Sequence, residues 1–195
     1  MTKGTDTREK IIERAASLFN TKGYSAASIN DVMEATGLKK GGIYNHFENK
    51  DDLACQAFDF AVKLAGQKML TKVEAGENAR DRLFAVIDHF ETLSEDPPLP
   101  GGCPLMNTAI ECDDGYPLMQ IRVQKAFDRF QQFVEKLATE AIEQKQIVTN
   151  LSPEEISIFM ISTLEGALML SKVHHSNAPL IVAGKQLRKM LIKGG

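Results

Sequence analysis

The chain has 195 residues, of which 43% are hydrophobic and 25% charged, proportions typical of globular domains. Its net charge of −3 does not by itself indicate a nucleic-acid-binding protein, although residues 1–50 carry +2 and the remainder −5. The polar N-terminus has no apolar signal region, and no apolar run approaches the ~20 residues that span a bilayer. Three cysteines, without metal-site spacing, fit a reducing compartment, so we expect a cytoplasmic protein with no membrane association.

Helical spacing of apolar residues recurs along the chain and no strand-like alternation persists, so the predicted fold is all-α with about nine helices. The first helix is expected over residues 7–22, with Gly23 at its left-handed end. The second begins after the N-cap residue Ser28, has Asp31 at the capping-box position and ends at Gly37.

The third predicted helix is short, about residues 39–47, and the cap pair Asn49 and Asp52 opens a long fourth helix. Three prolines and two glycines in residues 94–102 forbid regular structure, and an Asp113-Asp114-Gly115 turn is expected further on. The remaining helices are predicted at about residues 79–93, 104–111, 117–146, 153–174 and 179–193.

Residues 28–47 have the spacing of a helix-turn-helix, with two short apolar-faced helices pivoting on Gly37. Gly41 and Gly42, near the start of the second helix of this pair, together cost roughly 2 kcal/mol relative to alanine. They leave the backbone open where something must approach closely, and the polar side chains around them suit phosphate contacts. A generic antiparallel helix pair has the same spacing, so spacing alone leaves DNA binding open.

The residues themselves carry a more specific signal. Residues 36–47 read TGLKKGGIYNHF and residues 49–53 read NKDDL, which closely resembles the signature of the TetR family of transcriptional regulators. Residues 8–15 and 22–24, with Phe19 between them, are similar to the family's first helix. The resemblance covers about residues 6–60. It implies a helix-turn-helix DNA-binding domain in residues 1–50, joined by the helix from about residue 50 to a ligand-sensing and dimerisation domain in residues 51–195.

By position, the resemblance places Lys40, Gly41 and Gly42 against base edges, and most of the other contacts on the phosphate backbone. Lysine at position 40 favours guanine, since Lys or Arg to guanine O6 and N7 is the commonest base-specific pairing. The predicted DNA contacts are Ser28, Asn30, Thr36, Lys39, Lys40, Gly41, Gly42, Tyr44, Asn45, His46 and Lys50.

Two long helices, about residues 153–174 and 179–193, are those that the family uses for a homodimer. The first is apolar around more than one stripe, as for a helix buried on two sides, although a merely intramolecular core has the same pattern. A two-fold dimer places its recognition helices ~34–36 Å apart and requires a palindromic double-stranded operator. The resemblance thus implies a repressor that a small apolar or amphipathic inducer releases from DNA.

Inducer pockets are mostly apolar, with a few polar groups that orient the ligand. Each apolar candidate is equally suited to plain core packing, whereas Asn107, Glu111 and Glu165 lie among apolar neighbours. The candidate lining residues are Phe58, Val62, Phe90, Cys103, Met106, Asn107, Glu111, Phe127, Phe130, Phe159, Glu165 and Leu168.

Residues 101–111, GGCPLMNTAIE, resemble a subgroup of this family whose sixth helix begins Gly-Cys-Pro-Leu. Cys103 would lie at the N-terminus of that helix, where the helix dipole favours a thiolate. An alternative function is therefore a repressor that senses electrophiles or oxidants through Cys103, and small-residue packing is the other interpretation of this cysteine.

Two rival functions remain. The histidines, His46, His89, His174 and His175, suggest no nucleophile–base–acid arrangement and no metal site, so we expect neither an enzyme nor a cofactor-dependent protein. A purely architectural DNA binder without a sensor is the second rival. The large apolar C-terminal part of the chain argues against it.

Overall fold

The computed structural model describes residues 3–93, 95–112 and 116–193. Within these ranges the chain forms nine α-helices and no strand, which confirms the predicted all-α fold. The helices are α1 (Lys3–Lys22), α2 (Ile29–Thr36), α3 (Lys40–Tyr44), α4 (Lys50–Glu74), α5 (Ala79–Thr92), α6 (Pro104–Glu111), α7 (Pro117–Glu143), α8 (Pro153–His174) and α9 (Ala178–Lys193).

Capping boxes fix the starts of α2 and α8 where the sequence predicts them. At α2, the Ser28 hydroxyl accepts the backbone N–H of Asp31 at 3.2 Å, and the Asp31 carboxylate accepts that of Ser28 at 2.6 Å. Ser152 and Glu155 make the same reciprocal pair at α8. Each box satisfies two backbone donors that a helix start would otherwise leave unpaired.

Two helices end three residues earlier than predicted. α7 ends at Glu143 because Lys145 takes a left-handed conformation, φ 55°, and the next N–H turns back to the carbonyl of Ala141 at 2.9 Å. α3 ends at Tyr44, where the helical pattern tightens and the N–H of His46 reaches only to the carbonyl of Ile43. The predicted Asp113-Asp114-Gly115 turn lies outside the described residues.

The described parts of residues 1–65 and 98–126 form one compact unit, called here the head unit. It holds α1, α2, α3, α6 and the first parts of α4 and α7. Ile43 of α3 and Val32 of α2 are completely buried between the helices, so truncating Ile43 to alanine should cost about 2–5 kcal/mol. Its core consists of Ile11, Ile12, Ala15, Ala16, Val32, Ile43, Phe47, Leu53, Ala57, Ala61 and Leu99.

The described parts of residues 66–97 and 127–195 form a second compact unit, the body unit, in which α5, α8 and α9 pack together. Arg188 of α9 donates to both carboxylate oxygens of Glu91 on α5, at 2.7 and 2.9 Å, and also pairs with Asp88. A Cβ at Gly184 would overlap the Glu91 carboxylate and lie 2.7 Å from Cγ2 of the buried Ile87, so glycine lets α9 approach α5 closely.

α8 is long and apolar enough, by length and composition alone, to cross a membrane, although no segment of this length was expected from the apolar runs of the sequence. Buried core helices of globular proteins meet the same criterion. One side of α8, including Ile156, Met160 and Leu164, is fully buried within the body unit. The other side of α8 is exposed and also carries apolar side chains.

Candidate nucleic-acid interface

α2 and α3 form the helix-turn-helix that the sequence predicts. Gly37 ends α2 in the left-handed conformation, φ 71°, and its N–H donates to the carbonyl of Met33 at 2.9 Å. The chain then turns within two residues into α3, whose Ile43 is buried against α2. The buried side chains fix the angle between the helices, so the other face of α3 points to solvent as one surface.

The two glycines of α3 lie on this exposed surface and are not required by packing inside the protein. A Cβ added at Gly41 would meet no atom within 4 Å, and one at Gly42 would make only ordinary contacts with Leu38, the shorter at 3.6 Å. Because alanine favours helix more than glycine does, the fold alone would favour alanine at both positions. The glycines leave the outer surface of α3 flat enough for another backbone or a base edge to approach.

None of the predicted DNA-contact residues is buried. The exposed ones are Ser28, Asn30, Lys39, Lys40, Gly41, Tyr44 and Asn45, and the half-buried ones are Thr36, Gly42, His46 and Lys50. The ammonium of Lys40 lies 5.9 Å from the centre of the Tyr44 ring, so the cation and the hydroxyl-bearing ring are held side by side.

Three of these residues also have roles inside the protein. Ser28 is the N-cap of α2, and the hydroxyl of Thr36 donates to the carbonyl of Val32 at 2.7 Å. The ammonium of Lys50 donates to the carbonyl of Tyr24 at 2.7 Å and lies 4.3 Å from the centre of the Tyr24 ring. An ammonium has three N–H donors, so this bond leaves others for a phosphate.

An ion pair stabilises the N-terminus of α2. Lys22, at the end of α1, lies 2.6 Å from the Asp31 carboxylate, which is also part of the α2 capping box. The hydrogen bond from Lys22 and those from Ser28 hold the pKa of the Asp31 carboxyl well below its usual range. The sequence identified the capping role of Asp31 but not its pairing with Lys22, which depends on how α1 and α2 pack.

The predicted pocket residues are divided between the two units. Phe58, Val62, Cys103, Met106, Asn107 and Glu111 lie in the head unit, and Phe90, Phe127, Phe130, Phe159, Glu165 and Leu168 lie in the body unit. Within the body unit, Phe90 and Phe130 stack with ring centres 6.3 Å apart, and Glu165 and Leu168 are buried. Phe159 is 48% exposed on the outer side of α8, away from that buried group.

A cleft of ≈ 340 Å³, a volume that includes its open mouth, lies within the head unit among α1, α4, α6 and the start of α7. Phe58 and Glu111 are the two predicted pocket residues that line it. Asn107 bonds to Asn20 near the end of α1, and Glu111 bonds to Tyr24 and Ser25 in the turn between α1 and α2. The sequence does not single out Asn20, and Tyr24 stands out only as part of the string 22–24 that resembles the family's first helix, with no sign of its bond to Glu111.

All three cysteines are buried. Cys103 is the N-cap residue of α6 and is 7% exposed, with no capping hydrogen bond from its side chain. Burial raises the pKa of the Cys112 thiol to about 11, with Glu111 and Cys55 adding to the shift, and burial also raises the pKa of Cys55. A buried thiol with a raised pKa is a poor nucleophile, so neither Cys55 nor Cys112 is placed to sense electrophiles.

His89 is a buried titratable residue of the body unit that the pocket prediction did not include. It is 4% exposed, and its Nδ1 has no hydrogen-bond partner among the described residues. Burial, with the positive charges of Lys72 and Lys68, lowers the pKa of His89 to about 4, so the imidazole is neutral at pH 7. Among the described residues, no group of three or more His, Cys, Asp or Glu side chains is placed to hold a metal ion.

Comparison with known proteins agrees with this geometry. Residues 11–57 match the family model of bacterial regulatory proteins of the tetR family, and residues 79–187 match that of the tetracyclin repressor-like C-terminal domain. A TetR transcriptional regulator from Chloroflexus aurantiacus is 37% identical, with a TM-score of 0.94 over 100% of this chain and 98% of that one. One from Cytophaga hutchinsonii is 28% identical, with a TM-score of 0.90 over 100% and 99%.

The chain is also similar to the HTH-type transcriptional repressor DhaR from Mycobacterium sp., with 27% identity over 180 residues that cover 90% of this chain and 87% of that one. The body subgroup indicated by residues 102–105 stays a prediction. Two family models that together cover most of the chain, a full-length structural relative and an exposed helix-turn-helix lead to one conclusion: the chain belongs to the TetR family of bacterial helix-turn-helix transcriptional regulators.

Proposed function

We propose that this protein is a homodimeric cytoplasmic repressor that binds a palindromic operator through α2 and α3 and is released by a small inducer. The observation that carries the proposal is the pair Gly41 and Gly42, which no packing inside the protein requires. Lys40 and the two glycines read base edges. Tyr44, His46 and Lys50 hold phosphates, as do Ser28, Asn30, Thr36, Lys39 and Asn45 around them.

The dimer forms through α8 and α9, the last two long helices. Their outer faces carry exposed apolar side chains that one protomer leaves without cover, a pattern that marks an interaction surface. These side chains are Ile158, Phe159, Met169, Leu170, Val173, Ile181, Val182 and Ile192. Gly166 lies in the same stripe of α8, and a Cβ there would meet no atom within 4 Å, so its small size leaves room for a partner helix.

Selection of bound sequences from random duplex DNA, at fixed salt, tests the DNA-binding proposal. We expect a palindromic motif with half-sites about one turn, ~10 bp, apart. A Lys40→Ala variant should lose preference at one base pair of each half-site, because it removes the base-reading ammonium. Lys63→Ala, which removes the same charge from the exposed face of α4, should keep the preference. A folded dimer that enriches no sequence would refute the proposal.

The inducer belongs to the ligand-sensing part of the chain, residues 51–195, and we propose an amphipathic compound with an aromatic or aliphatic body and a polar group. The body unit supplies a stacked Phe90–Phe130 pair for the apolar part. It also holds buried polar atoms, Nδ1 of His89 and the hydroxyl of Ser171, that have no hydrogen-bond partner among the described residues. Such atoms are usually satisfied, so a ligand that pairs with them gains affinity.

A panel of aromatic and medium-chain amphipathic compounds, screened for release of the selected duplex, tests this part of the proposal. We expect His89→Leu and Phe130→Ala to lose the response to an active compound while they keep their affinity for the duplex. Ile121→Ala, on the exposed side of α7 and outside the proposed dimer surface, is the matched control for Phe130→Ala. Release that both pocket variants retain would contradict the assignment of the inducer to this part of the body unit.

A further inference from the structure

We propose that Glu111 is a positioning residue for DNA binding, which acts from the end of α6 through Tyr24 on the phosphate-binding ammonium of Lys50. The inference rests on the proposed function and names residues that regulate it. Glu111 and Lys50 do not bond to each other directly. Both bond to the backbone of Tyr24, one to its N–H and the other to its carbonyl.

The carboxylate of Glu111 is held in the turn between α1 and α2. Its Oε2 accepts the N–H of Tyr24 at 2.8 Å, and its Oε1 accepts the N–H of Ser25 at 2.6 Å. Two successive backbone N–H groups that converge on one anion form a strong and directional site. A Cβ at Gly23, just before this turn, would lie 3.0 Å from Oε1, so the glycine gives the carboxylate its space.

A second set of hydrogen bonds ties α6 to the end of α1. Nδ2 of Asn107, one turn before Glu111, lies 3.0 Å from Oδ1 of Asn20 and 2.9 Å from the carbonyl of Gly101. The amide of Asn20 in turn donates to the carbonyls of Pro100 and Gly102, at 2.8 and 3.1 Å. A Cβ at Gly101 would lie 2.3 Å from the carbonyl oxygen of Asn20. The end of α1 is therefore hydrogen-bonded both to the segment before α6 and to α6 itself.

Tyr24 connects these contacts of α6 to Lys50, one of the predicted DNA-contact residues. Its ring is buried, its hydroxyl donates to Asp51, and its ring edge packs against Tyr116 at 4.7 Å between centres. Its carbonyl receives Lys50, whose ammonium also lies over the ring. Glu111 holds the N–H of Tyr24 and the N–H of Ser25, so the peptide groups on both sides of Tyr24 are fixed. The carbonyl then holds the Lys50 ammonium in a set position, with N–H donors left for a phosphate.

Because Glu111 is negatively charged, the direction in which its neutralisation changes DNA affinity distinguishes the proposal from simple electrostatics. Neutralising a carboxylate on a DNA-binding protein should, by electrostatics alone, strengthen binding. If Glu111 positions Lys50, neutralising it should weaken binding instead. We expect Glu111→Gln to raise the dissociation constant for the selected duplex about 10-fold, as for loss of a charge-assisted hydrogen bond. Glu13→Gln, an equal charge change on the exposed face of α1, should leave binding unchanged or slightly stronger.

A double-mutant cycle separates positioning from general stability. In a Lys50→Met background, Glu111→Gln should change the dissociation constant less than about 2-fold, because its target is gone. A Glu111 that only stabilises the head would cost the same factor in both backgrounds, and that result would overturn the proposal. All four proteins are compared after their unfolding midpoints in urea show that each is folded at the assay temperature.

Amide hydrogen exchange of the full chain, without DNA, provides the independent measurement. Glu111→Ala should speed exchange at the amides of Tyr24 and Ser25, whereas the Gly23 amide, which donates to the carbonyl of Phe19 at 3.0 Å, should be unchanged. Unchanged exchange at Tyr24 and Ser25 would overturn the inference even if the protein binds its operator. If the wild-type protein binds no duplex while exchange responds as expected, the proposed function fails and the Glu111 contact is merely structural.

Discussion

Replacing Gly41 or Gly42 with alanine should change folding stability and DNA binding in opposite directions. The structure leaves space for a Cβ at both positions, with no contact within 4 Å at Gly41 and ordinary contacts with Leu38 at Gly42, the shorter at 3.6 Å. Alanine should therefore raise the free energy of unfolding by about 0.5–1 kcal/mol at each position, the usual difference between the two residues within a helix. The same methyl group would stand between α3 and the base edges.

The expected loss in binding can be placed on the same scale. A base contact that is lost or held away costs about 1–3 kcal/mol, which is roughly a 5- to 150-fold weaker affinity for the selected duplex. Urea denaturation followed by circular dichroism measures the first effect, and fluorescence anisotropy with the duplex at fixed salt measures the second. Gly66→Ala, in the middle of α4 and equally open, is the control that should gain stability without losing affinity.

An alanine variant that gains stability and still binds the duplex as tightly as the wild type would contradict this prediction. The glycines would then have no role in approach to DNA. A variant that loses stability would contradict the structural argument at an earlier step, since it would show that the Cβ does meet an obstacle inside the protein. The two measurements together therefore separate an error about the fold from an error about the interface.

Three further predictions test the body unit. Gly184→Ala should lower the free energy of unfolding by about 1–3 kcal/mol in urea titrations, because its Cβ would overlap the Glu91 carboxylate, and an unchanged midpoint would contradict the close packing of α9 on α5. Gly166→Leu should shift the protein towards monomer in sedimentation velocity at micromolar concentration while the protomer stays helical, and an intact dimer would place the interface elsewhere. The buried His89 should make the protein lose up to about 3 kcal/mol of stability as the pH falls from 6.5 to 4, because only the unfolded chain takes up the proton in that range. His89→Gln should reduce the dependence of the free energy of unfolding on pH between 6.5 and 4. An equal dependence in the wild type and the variant would show that His89 does not cause it.

The parts of the fold that the sequence predicts best are those whose ends carry local chemistry. α6 and α8 begin and end as predicted, since each starts with proline at its first position, preceded by Cys103 or by the capping residue Ser152. The end of α7 was predicted three residues too late, because the left-handed turn at Lys145 has no glycine to announce it. A left-handed backbone conformation at a lysine depends on tertiary packing, which a local sequence pattern does not indicate.

The same distinction applies to the candidate sites. The motif around α3 could be predicted from the sequence because its residues are contiguous. Asn107 and Glu111 were predicted to orient a ligand, since polar residues among apolar neighbours suggest a pocket. In the structure Asn107 bonds to Asn20 at the end of α1, and Glu111 bonds to Tyr24 and Ser25 in the turn that follows, partners 86 or 87 positions away along the chain. Their role towards a ligand stays a prediction. Hydrogen bonds at such separations follow from tertiary packing, which spacing within one helix cannot indicate.

Glycines with open space on their outer side help to separate folding requirements from functional ones, but open space alone is not enough. Gly66 is as open as Gly41 and Gly166, and no function is assigned to it. What distinguishes the other two is the chemistry beside them. Gly41 lies between the exposed cation Lys40 and the exposed Tyr44, which suits a phosphate-lined groove. Gly166 lies in a stripe of exposed apolar side chains, which suits a second helix of the same kind. We therefore propose a different partner for each surface, DNA for α3 and another protomer for α8, and the alanine and leucine variants test the two proposals separately.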